Sequence, residues 1–282
     1  MNILIRKLKK SFFILKNFGI TEVINKLLKY ILNIFNNEGV KKYIENLKLI
    51  IEDNNSLKKL RNFDSKNLED IYDFSINFEN GLIAPIQVKE EFIELLNILR
   101  NYNPKNILEI GTYKGGSLFC FCKALDENAT IITRTVCLML YANISIDLPF
   151  WGMKKYIQYD NLILELFSNF RKGNQKLFFI RGNSNNLETV NKVKEILGAN
   201  KLDFIFIDGD HSYEAVKKDF ELYSQFIGKG GVIAFHDILL KDGTSVFWNE
   251  IKNNKQKYKY TDYKEIIKDK NQQGLGIGIL YF

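Results

Sequence analysis

The 282-residue chain is short of several residue types, and each shortage removes a class of protein. It has 3 cysteines, an odd number, no CxxC pair, and only two histidines, His211 and His236. A disulfide framework and a structural zinc site are therefore not expected. Cysteine usage of this kind points to a reducing compartment, and the expected location is cytoplasmic. With 3 prolines and no Ser/Pro-rich stretch, the chain has no sign of disordered linkers. No apolar run approaches the ~20 residues needed to span a bilayer. No small-residue cleavage site follows the apolar N-terminal stretch, so a secretory leader is not expected.

What remains is a globular composition, 46% hydrophobic and 13% aromatic, enough to bury a sizeable core. The formal charge is +7, and it is unevenly placed. Residues 1–50 hold ten basic side chains and three acidic ones, a surplus that equals the charge of the whole chain. The other 232 residues are neutral overall, so a nucleic-acid footprint across the main domain is not expected.

Residues 1–60 read as helical. Ile24, Leu27, Leu28, Ile31 and Phe35 keep helical spacing, with Lys26 and Lys29 between them. Polar breaks fall at Asp53–Asn55, Asn62–Ser65 and Glu79–Gly81, and Gln87–Arg100 is an amphipathic helix stopped by Asn103-Pro104. From there the pattern alternates. Strands are expected at Asn106–Ile110, Ile144–Asp147, Leu177–Arg181, Phe204–Ile207, Gly231–Phe235 and Gly276–Tyr281. Helices are expected at Gly115–Leu125, Leu187–Leu197, Tyr213–Phe226 and Ser245–Asn253. Short apolar strands separated by helices predict an α/β fold, a Rossmann-like, doubly wound and mostly parallel sheet. Residues 1–82 would be a helical extension and 83–282 the main domain.

The first strand runs into Glu109-Ile110-Gly111-Thr112-Tyr113-Lys114-Gly115-Gly116-Ser117. Glycines at a strand-to-helix turn let the backbone approach a ligand, although a tight turn without a ligand has the same look. The spacing differs from the G-x-G-x-x-G of dinucleotide sites, and Glu109 would repel a pyrophosphate. A cationic ligand without phosphate suits the loop better. The segment ILEIGTYKGGS resembles motif I of class I methyltransferases that use S-adenosylmethionine (SAM), which carries a sulfonium and an ammonium group. The stretch FIFIDGDHSYEAVKKDFELYSQFIGKGGVIAFHDI, with SIDLP, RGNS and GLGIGIL, is similar to the cephalosporin-hydroxylase-like and sugar O-methyltransferase-like branch of that family. The likeness covers Ile83 to Phe282, roughly seven tenths of the chain.

The resemblance implies roles. Glu109, Gly111 and Gly115 would line the methionine half of SAM, and Ser117 would cap the next helix or touch the carboxylate. Asp147 would accept both ribose hydroxyls, while Asn183 and Ser184 would face the adenine, Asn183 serving otherwise as a loop cap. Asp147 follows Gly111 by 36 residues, against the ~20 expected for a ribose acid, which suggests an insertion over Thr133–Ile144.

Two strands end in polar clusters, Asp208-Gly209-Asp210-His211 and His236-Asp237. In a parallel sheet such ends meet over one crevice. Two mechanisms stay open. Asp208 and Asp237 could hold Mg²⁺, or His211 could act alone as general base. Trp151 and Trp248 are either pocket walls or core. The leading function is O-methylation of a hydroxyl on a sugar, glycan or small metabolite. The alternatives are a non-catalytic SAM-fold module that recruits partners, and a hydroxylase, for which the iron-binding facial triad is missing.

The basic N-terminal helices have two readings: contact with an anionic membrane surface through residues 1–50, or packing on the main domain or a second subunit. Surface binding through lysines weakens as salt rises, because the field is screened over ~10 Å at 0.1 M. Co-sedimentation of the full-length chain with anionic vesicles at low salt, reversed at high salt, is the membrane outcome. A chain that stays in the supernatant at low salt makes the segment structural.

Overall fold

A computed structural model describes residues 38–135, 161–268 and 275–282. The chain divides into two compact units, Met1–Asn54 with Met139–Ile163, and Asn55–Leu138 with Leu164–Phe282. The described part of the first unit is mainly α1 (Glu38–Glu52), which buries Leu47 and Ile50. No described helix is long and apolar enough to cross a membrane.

The second unit opens with α2 (Asn54–Asn62), α3 (Leu68–Asn77) and α4 (Lys89–Tyr102). Asn67 caps α3 by accepting from the Glu69 amide, and Asn103 ends α4 in a left-handed conformation. Strand and helix then alternate: β1 (Asn106–Ile110), α5 (Gly116–Ala124), β2 (Thr130–Thr135), β3 (Lys176–Arg181), α6 (Leu187–Leu197) and β4 (Leu202–Ile207). The order closes with α7 (Tyr213–Tyr223), β5 (Ile227–His236), α8 (Gly243–Lys252), α9 (Lys255–Tyr258), β6 (Asp262–Ile266) and β7 (Ile277–Tyr281).

The seven strands form one sheet in the order β3-β2-β1-β4-β5-β7-β6. Pairings from β3 through β5 are parallel, and β7 is antiparallel to both its neighbours. This is the expected Rossmann-like sheet covered by helices. Two-residue alternation along β4 divides the core. Phe204 and Phe206 face Phe121 of α5 at ring distances of 5.7 and 5.5 Å, while Ile205 and Ile207 join a second cluster with Phe220, Phe235 and Phe247. α3 and α4 pack onto the same face as Phe121, with Phe74 of α3 stacked on Phe119 of α5 at 5.3 Å and Phe92 of α4 against Phe121 at 5.6 Å.

One expectation changes. The sheet's second strand is Thr130–Thr135, rich in β-branched residues and paired on both sides, so Thr133, Arg134 and Thr135, the first residues of the suspected insertion, are strand. The stretch Ile144–Asp147 lies outside the described residues, as do Trp151 and residues 1–37. Trp248 is core: it is 1% exposed, donates to Glu265 at 2.6 Å, and lies against Gly278, where a Cβ would come 2.7 Å from its ring. Strand β6 escaped notice because Asp262, Tyr263 and Lys264 are exposed and leave no apolar run.

Candidate active site

The turn after β1 and the end of β4 are pressed together. The Asp208 amide donates to the Ile110 carbonyl at 2.8 Å, and Gly111 holds φ +102°. A Cβ on Gly111 would fall 1.9 Å from the Asp208 carbonyl oxygen, so only glycine fits there. Gly115, at φ +87°, meets the Phe167 ring, and a Cβ on Gly116 would be 2.3 Å from the Pro85 nitrogen. The chain's own packing therefore accounts for all three glycines.

Glu109 lies beneath this turn, 0% exposed. Ser117 donates to its Oε1 at 2.5 Å and Thr133 to its Oε2 at 2.6 Å; Thr112 is hydrogen-bonded to Thr133 in turn. Burial pushes the Glu109 carboxyl up to about 7, against the pull of the three hydroxyls. Glu109 braces the turn from below. Ser117 does not cap α5, whose N-cap is Gly115; it sits inside the helix and faces Glu109.

The expected acidic cluster does converge. His211 Nε2 stands 3.2 Å from Asp237 Oδ2 and 4.0 Å from Asp208 Oδ1, and its Nδ1 is 3.4 Å from Asp242 Oδ2. Its side chain is 39% exposed, the most open of the group. His236 is buried, and its Nδ1 lies 3.1 Å from an oxygen of both Asp208 and Asp237. Burial alone would lower its pKa, but the two carboxylates prevail and raise it from 6.5 to about 10. Asp208 is also held from the other side: Gln87 Nε2 donates to its Oδ2 at 2.6 Å. Asp237 takes φ +62°, a left-handed conformation at the strand's end that turns its carboxylate toward His211. Ser212 caps α7, so Asp208 is free of that task.

At the far end of the crevice the loop after β3 is braced internally. Asn183 Oδ1 accepts from the Asn185 amide at 2.9 Å, a loop cap. Ser184 is buried, and its carbonyl accepts from Tyr223 at 2.8 Å. Asn185 donates to Asp219 at 2.6 Å, and Arg134 Nε donates to the Gly182 carbonyl at 2.6 Å. Burial raises the Asp219 carboxyl to about 6. Gln87, Arg134, Asp219 and Asp242 carry no motif, and sequence reading missed them. Only the capping pattern of Asp242 before α8 was open to recognition.

Residues 108–238, from within β1 to just past β5, match the family model Methyltransf_24, the methyltransferase domain. That segment is similar to the methyltransferase domain, and the fold is Rossmann-like. It is similar in structure to an O-methyltransferase from Bacillus cereus in complex with S-adenosylhomocysteine (SAH), at TM-score 0.50 and 15% identity, over 84% of this chain and 100% of that one. Among curated proteins it is 53% identical to R132 of Acanthamoeba polyphaga mimivirus over 38 residues, 14% of this chain and 17% of that protein. It is 26% identical to y4gI of Sinorhizobium fredii over 151 residues, 52% of this chain. The chain spans only 17% and 15% of the length of these two relatives.

The residues suit Mg²⁺ poorly. Asp208, His211 and Asp237 each bring an atom within 4.8 Å of the others. One of the three is an imidazole, however, and Mg²⁺ takes near-octahedral oxygen. His236 Nδ1 already occupies the position between the two carboxylates, and Gln87 holds the remaining Asp208 oxygen.

The buried imidazole makes stability depend on pH. Its folded pKa lies above 6.5, so its contribution is whole below pH 6.5 and is lost as pH rises through about 10. Urea midpoints of the wild type should fall across that window. His236→Gln should fall much less steeply over the same range. An unchanged slope in the variant would show that His236 is not the titrating group.

Proposed function

We propose that the chain is a SAM-dependent O-methyltransferase acting on a hydroxyl of a sugar or small metabolite. The observation that carries this is the meeting of His211, Asp208 and Asp237 beside the Gly111 turn, at the carboxyl ends of β1, β4 and β5. The methyltransferase-domain match and the fold shared with the Bacillus cereus enzyme support it.

SAM, when bound, supplies an electrophilic methyl group on a sulfonium that leaves as the neutral thioether of SAH. The chain's task is then to align the acceptor oxygen and to take its proton. His211 Nε2 receives that proton. Asp237 Oδ2 lies 3.2 Å away and stabilises the imidazolium that forms, while Asp242 orients the ring through Nδ1. Asp208, held by Gln87 and His236, places a fixed negative charge beside the reacting centre without itself moving. Asn183, Ser184 and Asp147 belong to the adenosine half of this reading, and Glu109 and Ser117 shape the turn from below.

No step is assigned to Mg²⁺. Incubation of the protein with SAM and a panel of sugar and small-molecule hydroxyls, read by mass spectrometry, should give methylated product and SAH. His211→Gln should lower kcat by about 10²–10⁴ with little change in SAH affinity. Excess chelator should leave turnover intact. Turnover abolished by chelator and restored by Mg²⁺ would return the metal to the mechanism, and full activity in His211→Gln would remove the base.

A further inference from the structure

Gln87 lies just ahead of α4, 121 residues from Asp208, and is 5% exposed. Its backbone carbonyl accepts a buried hydrogen bond from the Tyr72 hydroxyl of α3 at 2.7 Å, which fixes the residue's position. Its side chain meets Asp208 at 2.6 Å through Nε2. A carboxylate only accepts, so the amide has to present its NH₂ group there, and the orientation of the amide is settled by chemistry. The oxygen is thereby turned the other way. That Oε1 is buried and has no hydrogen-bond partner among the described residues.

An amide oxygen left so is unfavourable unless a donor completes it. The donor has to reach a place bordered by Asp208, at the end of β4 and beside the Gly111 turn. Glu109 was expected to receive the cationic end of the cofactor, but both its oxygens already accept from Ser117 and Thr133. The site's acceptor for a cation must then come from elsewhere. Gln87 Oε1 and Asp208 are adjacent acceptors, one neutral and one charged, and an ammonium carries three donors that can use both.

We propose that Gln87 is a specificity-determining residue of the cofactor site: its Oε1 accepts from the ammonium of the cofactor's methionine half, while its Nε2 holds Asp208 beside the same group. This inference rests on the SAM reading and adds to it a residue outside the matched segment 108–238. It makes the helical segment before β1 part of ligand recognition, linked through Tyr72 to α3.

The test is calorimetric and uses the full-length chain with two probes. One is SAH, and the other is its des-amino analogue, which keeps the carboxylate and lacks the ammonium. Gln87→Met should bind SAH about tenfold more weakly than wild type, and the des-amino analogue within about twofold of wild type. Gln87→Glu keeps an acceptor oxygen and should prefer SAH over the analogue at least as strongly as wild type. Equal losses for both probes in Gln87→Met, or no loss for SAH, would overturn the assignment and leave the cofactor reading standing. Wild-type protein that fails to bind SAH overturns both. If Gln87→Met has no cooperative melting transition, Gln87→Glu decides, and a reduced preference for SAH there overturns the proposal.

Discussion

The close approach of two strand ends governs the site. β1 and β4 are neighbours in the sheet, and beyond their last paired residues the Asp208 amide still bonds to the Ile110 carbonyl. That contact leaves no room for a side chain at Gly111. It places Asp208 directly over the turn, and Gln87, His236 and His211 are arranged around that carboxylate. His236 comes from the next strand, Gln87 from the segment before α4, and His211 from the turn after β4. A residue larger than glycine at 111 would push β4's end away from the turn and disperse the group.

Charge follows from this geometry. A half-buried carboxylate is tolerated when partners compensate it, and Asp208 has an amide donor on one side and an imidazole on the other. The buried imidazole bridges Asp208 and Asp237 and neutralises part of their charge. His211 is left as the member of the cluster most open to solvent, with Asp237 and Asp242 at its two ring nitrogens. Rigid surroundings and one accessible base are what a transfer reaction governed by alignment needs.

Much of this could be read from the residues. Alternation of apolar strands and amphipathic helices predicted the sheet, and the two strand-end clusters predicted where Asp208, His211, His236 and Asp237 would meet. The failures have physical causes. Glu109 has the spacing of a ligand-facing acid, but two hydroxyls eight and twenty-four residues away consume it, and neither pairing leaves a mark in the sequence. Gln87 reaches Asp208 only through the tertiary fold. The glycine run looked like a ligand cradle, yet Asp208, Phe167 and Pro85 fill the space that its missing side chains leave. The acid Asp147, which the resemblance assigned to the ribose, lies outside the described residues.

The central claim is that the crevice over Gly111 receives an adenosyl cofactor, with its reactive sulfur on the Asp208 and His211 side. A crystal structure of the full-length chain soaked with SAH tests this most directly. The account predicts density across the carboxyl ends of β1 and β4, with the thioether next to Asp208 and His211 and the amino acid end toward Gln87. Density elsewhere on the molecule, or a crevice that stays empty at saturating SAH yet fills with NAD, would contradict it.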